Sequence, residues 1–250
     1  MNKISFPSTA TRILAGLSST AMALTLAVVV TPFTGGVGYS QEIESSIARG
    51  GQLYDKWYAV IGAEKPTETH PAWPASNEKK SGDATQRCKA CHGWDLRGAD
   101  GAYKSGSYKT GIAGLTGFAG GDNATVIAAI KDNTHGFTGM SDRDYTDLAN
   151  FVTKGQFDIA AVINDETKAA TGDAAKGEAY YNTVCSNCHG VDGKLPKDLE
   201  NSLGALARGN PWEIIQKIQN GQPAEKMPAM RAFGVETSAA VLAYLQTLPE

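Results

Sequence analysis

The chain has 250 residues, of which 42% are hydrophobic and 20% charged, with a formal net charge of −3. This length holds one large or two small domains, and the acidic balance argues against nucleic acid as a partner. The chain has four cysteines and four histidines, few enough to follow one by one.

The first 40 residues stand apart. They carry Lys3 and Arg12, no acid, and an apolar run from Ile13 to Val30. Pro32 and a glycine-rich stretch lead to Gly38-Tyr39-Ser40, whose small residues suit a signal-peptidase site. Residues 1–40 therefore read as a signal peptide with the mature start near Gln41. The competing reading is a retained membrane anchor, because the run is about long enough to span a bilayer. Loss of Lys3 and Arg12 takes two positive charges from the total of −3 and leaves −5.

Residues 41–157 form a first unit. Gly50-Gly51-Gln52-Leu53-Tyr54-Asp55-Lys56-Trp57-Tyr58 predicts a helix whose glycines allow a close helix crossing. A polar, proline-containing insertion follows at about 59–86, with His70 and Trp73 in it. It is too long for an ordinary turn. The plainer reading is a surface loop pinned by Trp73, with His70 a loop histidine; the sharper one is a flap over a cofactor edge. Next comes Cys88-Lys89-Ala90-Cys91-His92, then Gly93-Trp94-Asp95. Asn123 is the expected cap of a helix with the stripe Val126, Ile127, Ile130. Met140 follows in a glycine-containing loop, and Ser141 with Asp144 predicts a capping box for a last helix carrying Tyr145, Leu148, Ala149 and Val152.

Residues 158–171 are a mixed linker, neither glycine- nor proline-rich, of the kind that packs along a domain. Residues 172–250 repeat the order of the first unit. Asp173 is the expected cap of a helix with Gly177, Tyr180, Tyr181 and Val184. Cys185-Ser186-Asn187-Cys188-His189 follows, trailed by Gly190-Val191-Asp192. Asn210-Pro211-Trp212-Glu213 is a helix start, Ile214, Ile215 and Ile218 its stripe, and Gly221 its stop. Met227 stands at the same offset from Asn210 as Met140 from Asn123. Ala240, Val241, Tyr244, Leu245 and Leu248 keep a helical period to the end. No strand pattern of any length occurs.

The two Cys-x-x-Cys-His copies use all four cysteines and two of the four histidines. In this pattern the thiols, Cys88 with Cys91 and Cys185 with Cys188, bond covalently to a haem, and His92 or His189 becomes an axial ligand of the iron. A four-cysteine zinc site is the nearest competitor, but zinc requires no histidine after both pairs. Two haem c groups are therefore expected, with thiols left free of disulfides. Met140 is preferred over His135 as the distal ligand of the first, and Met227 over Met230 for the second. A thioether raises the potential, whereas a second histidine lowers it. Tyr54, Trp57, Trp94 and Trp212 read as pocket walls.

At these residues the chain resembles a dihaem class I c-type cytochrome, matching best at Gly177, Tyr181, Cys185–His189, Met227-Pro228 and Tyr244. The 59–86 insertion departs from that family. The resemblance implies an all-α fold of two tandem haem domains, each a few short helices around one haem. It also implies periplasmic single-electron transfer between a donor and an acceptor, which include membrane-bound respiratory complexes and dehydrogenases, with no bond-making chemistry. The rival expectations are a haem enzyme of peroxidase or thiosulfate-oxidising type, which needs an open or displaceable iron ligand, and an electron-transfer subunit of a larger dehydrogenase or oxidase.

Overall fold

A computed structural model describes residues 36–197 and 199–250, with side chains from Gln41 onward. Most of the expected leader lies outside the described residues. Gly35–Glu250 form one compact unit. Among the described residues the structure is helical, with only two isolated antiparallel bridges, Gly98 to Ala113 and Ile163 to Ala170. No described helix is long and apolar enough to cross a membrane.

The first helix, α1, runs Gly36–Val60 and breaks at Lys56 (φ −152°, ψ 72°). It starts well before the expected Gly50, so the expected mature start at Gln41 falls inside it. α2 (Cys88–His92) carries the first cysteine motif. α3 (Asn123–Lys131) and α4 (Asp142–Lys154) complete the first half. α5 (Ala174–Tyr180) passes through a π turn at Tyr181–Cys185 into α6 (Ser186–His189), which carries the second motif. α7 (Leu203–Gly209), α8 (Pro211–Asn220) and α9 (Val235–Leu245) follow.

Local signals set these boundaries. The Ser141 hydroxyl and the Asp144 carboxylate satisfy each other's backbone N–H groups at the start of α4, a full capping box. Asp173 accepts from the Ala175 and Lys176 amides, and Asn210 accepts from Glu213 with Pro211 in the first turn. One expected cap is displaced. Asp122, not Asn123, accepts from the Ala124 amide. The Asn123 side chain instead donates to Asn150 Oδ1 (2.7 Å) and accepts from the Thr153 hydroxyl (2.7 Å) on α4. Counted from Asp122, the stripe Val126, Ile127, Ile130 falls in the same register as Ile214, Ile215, Ile218 from Asn210. The same count removes the matched offset of the two methionines.

Each half is built on one close helix pair. A Cβ at Gly50 of α1 would overlap the Asp147 carbonyl of α4, and a Cβ at Gly177 of α5 would overlap the Ala240 carbonyl of α9. Only glycine permits these approaches. One apolar core gathers Leu53, Tyr54, Leu148, Phe151 and Met140; the other gathers Tyr181, Ile215, Leu242 and Leu245. Trp94 and Tyr103 of the first unit, and Ile159, Val162 and Ile163 of the linker, belong to the second core.

Polar contacts join the halves. The Asp55 carboxylate, 2% exposed on α1, pairs with Arg87 just before the first motif and with Lys217 of α8. Arg87 Nε also donates to the Asp55 carbonyl (2.6 Å). Gln52 donates to the Asn220 carbonyl (2.7 Å), and Arg97 forms a bidentate pair with Asp165 of the linker (2.7 Å each).

Candidate functional site

The short helix α2 brings Cys88, Cys91 and His92 onto the wall of a cavity of about 400 Å³. Its lining is mostly apolar, with Ile112, Leu115, Val126, Ile130, Leu148 and Val152 among the walls. α2 supplies Cys88, Cys91 and His92, α3 and α4 the apolar faces, and the loop between α2 and α3 a further wall. Burial pushes the Cys88 thiol up to about 12, with Cys91 adding to it, and burial pushes Cys91 up to about 11. Burial also lowers His92, against a hydrogen bond to Ala113 that raises it, which favours the neutral imidazole a metal ligand must be.

The His92 ring is oriented by its Nδ1–H, which donates to the Ala113 carbonyl at 2.8 Å. His189 does the same with the Leu195 carbonyl at 3.1 Å. A partner on the far ring nitrogen is what a ligating histidine needs, because it fixes the tautomer and aims Nε2. Leu195 lies six residues after His189 and directly precedes Pro196. Nothing in the sequence points to Ala113, which lies a loop away.

The two motifs share a second device. The Tyr54 hydroxyl donates to the carbonyl of Gly93, directly after His92, at 2.6 Å. The Tyr181 hydroxyl donates to the carbonyl of Gly190, directly after His189, at 2.7 Å. Each tyrosine sits one helical turn after the crossing glycine, Gly50 or Gly177. The same helix thus makes the close crossing and anchors the exit of the ligand motif.

The second motif is more open. Cys185 is half-buried and Cys188 exposed. Val191 (75% exposed), Phe233 (59%) and Leu195 (39%) form exposed apolar surface in the segments beside it, and Tyr180 packs edge-on against Phe233. A flat apolar group attached at Cys185 and Cys188 suits such a surface. In both halves the residues present therefore fit a covalently held haem.

The distal candidates divide. Met140, preferred from the sequence for the first iron, is 8% exposed in the α1–α4 core and does not line the cavity that holds His92. His135 does line it, with its ring centre 6.2 Å from that of His92. In the second half Met230 is 4% exposed and belongs to the core, whereas Met227 is half-buried in a loop.

His70 is not a simple loop residue: it is 9% exposed and lines the first cavity together with Ala72 and Thr85. The insertion thus walls the site as well as being pinned by Trp73, whose indole N–H donates to the Asn77 carbonyl at 3.0 Å. Of the expected walls in the first unit, Tyr54 lines the cavity, Trp57 borders the adjoining cleft and Trp94 sits in the second core, where Trp212 of the second unit also packs.

No curated protein matches the chain. Residues 172–245 match the family model described as cytochrome C oxidase, cbb3-type, subunit III. The match spans α5 to α9 and includes Cys185–His189 and Met227. It supports a c-type cytochrome, whose haem c is covalently bound, and over these residues the chain is similar to the cytochrome c domain of that family.

Proposed function

We propose that this protein is an exported dihaem cytochrome c that carries single electrons between redox partners, with haem domains at 41–157 and 172–250. The observation that carries this reading is the repeated tyrosine anchor: Tyr54 on Gly93 and Tyr181 on Gly190 flank the two Cys-x-x-Cys-His motifs in the same way. The family match covers the second copy only; the shared anchor extends the reading to the first. A bound haem supplies an iron that cycles between ferrous and ferric. The chain's residues would hold it: Cys88 and Cys91, or Cys185 and Cys188, would bond to the ring, His92 and His189 would ligate the iron, and apolar walls would exclude water. For the second haem Met227 would be the distal ligand: it stands half-buried in a loop, whereas Met230 packs among the core side chains.

The leader read in residues 1–40 supports export to the periplasm, where covalent haem attachment occurs, with a membrane anchor if that segment is retained. The family description names an oxidase subunit, which favours donors and acceptors of a respiratory chain. The acidic charge suits a partner with a basic docking patch. Alkaline pyridine spectra of the purified protein should give two haems per chain. Cys88→Ala/Cys91→Ala should leave one haem, and so should Cys185→Ala/Cys188→Ala. A single haem in the unaltered protein defeats the dihaem reading.

A further inference from the structure

We propose that the first haem is ligated by two histidines, with His135 rather than Met140 on its distal side, and with Asp132 and His70 holding His135 in place. The inference rests on the dihaem reading and deepens it at one iron.

The hydrogen bonds account for every ring nitrogen. His92 uses Nδ1–H on the Ala113 carbonyl, which leaves Nε2 free. His135 has Nδ1 3.2 Å from Asp132 Oδ1; a carboxylate only accepts, so Nδ1 carries the proton and Nε2 is left free. Both free nitrogens belong to rings that line one cavity, with centres 6.2 Å apart and planes inclined by 23°. Two imidazoles that share one metal, at roughly 2 Å per metal–nitrogen bond plus the ring radius on each side, stand with centres roughly 6 Å apart. A carboxylate or carbonyl on the far nitrogen of each ring is the support that ligating histidines receive.

The loop around His135 is built to hold it. Asp132 Oδ1 also accepts from the Thr134 amide (2.8 Å) and the His135 amide (2.9 Å), so one carboxylate fixes backbone and ring together. His70 Nδ1 accepts from the Ala72 amide (3.1 Å), so the proton lies on Nε2, which donates to the His135 carbonyl (2.9 Å). With both nitrogens engaged, His70 is no ligand. It is a positioning residue that ties the insertion to the distal loop. Met140, by contrast, does not line the cavity that His92 and His135 share; it borders only the adjoining cleft.

A second imidazole lowers a haem potential and a thioether raises it. The first haem is then the low-potential site and the second the high-potential one, so electrons run from the first to the second. The 59–86 insertion, absent from the second half, supplies His70, one of the two supports that hold the distal ligand.

Spectra of the full-length protein test this, with the haem count taken on the same samples. The sulfur–iron band in the near red should account for one haem of the two. A redox titration should show two separated waves, the lower belonging to the first haem. Met140→Leu should leave the band unchanged. His135→Ala should raise carbon monoxide binding by one equivalent per chain, and His70→Ala should raise the high-spin fraction at the first haem while keeping both haems. A near-red band equal to two haems, or its loss by half in Met140→Leu, overturns the inference while leaving the dihaem reading intact. A count of one haem defeats that reading directly. The band of the unaltered protein decides the matter even where a variant folds poorly.

Discussion

Asp55→Ala should cost about 3–5 kcal/mol of stability at neutral pH, the penalty for stranding buried charge. Asp55 is 2% exposed, with Arg87 on one oxygen and Lys217 on the other. Removing it leaves a guanidinium and an ammonium facing each other in a site where water cannot screen them. Lys89, 4% exposed nearby, adds to the positive charge; burial, with help from Arg87, lowers it to about 8. Asp55 is the anion paired with Arg87 and Lys217, and Glu213 adds negative charge beside Lys89. Because Asp55 pairs α1 with α8, its loss should loosen the two halves from each other, seen as faster hydrogen exchange in α8.

The pH dependence follows from the same contacts. Burial alone would raise the Asp55 carboxyl, but Lys217 and Arg87 together outweigh it and hold the group below its ordinary value. A depressed carboxylate contributes stability that is fully present above its unfolded value, about 3.9, and is lost as pH falls through the folded one. Urea midpoints of the unaltered protein should therefore fall below about pH 4, and Asp55→Ala should show a flatter acid limb from a lower start. Asp55→Leu/Lys217→Met should recover part of the loss, since an apolar pair leaves fewer charges unpaired. Equal midpoints for Asp55→Ala and the unaltered protein at pH 7 would remove the cluster from the account of stability.

What the sequence shows and hides follows range. Caps and stripes are local: Ser141 with Asp144, Asp173, and Asn210-Pro211-Glu213 are read within four residues and the structure has them all. Asp122 and Asn123 compete one position apart, and α4 decides by engaging the Asn123 side chain, which no local rule contains. The Asp55–Lys217 pair, the Ala113 acceptor and the burial of His70 all join residues far apart in sequence. Trp94 sits beside the first motif in sequence but packs in the second core. Asp132 three residues before His135 is the exception, because that spacing is a readable local signal for an oriented histidine.

Gly177→Ala and Gly50→Ala should each destabilise the protein by roughly 2–3 kcal/mol, although alanine is the better helix former by about 1 kcal/mol. Packing wins because the new methyl group meets a backbone carbonyl, of Ala240 in one case and Asp147 in the other, which no rotamer change can move aside. The helices must separate, and Tyr181 or Tyr54, one turn further along, must shift with them. The melting temperature should fall by roughly 5–10 °C for each variant. Gly209→Ala is the control. It lies at the end of α7, where a Cβ meets nothing within 4 Å, so it should be neutral or slightly stabilising. Matching losses at Gly50 and Gly177 would mean that each motif hangs from its own glycine crossing, as a duplicated unit requires. A Gly50→Ala protein as stable as the Gly209→Ala control would leave only the second half built on its glycine crossing.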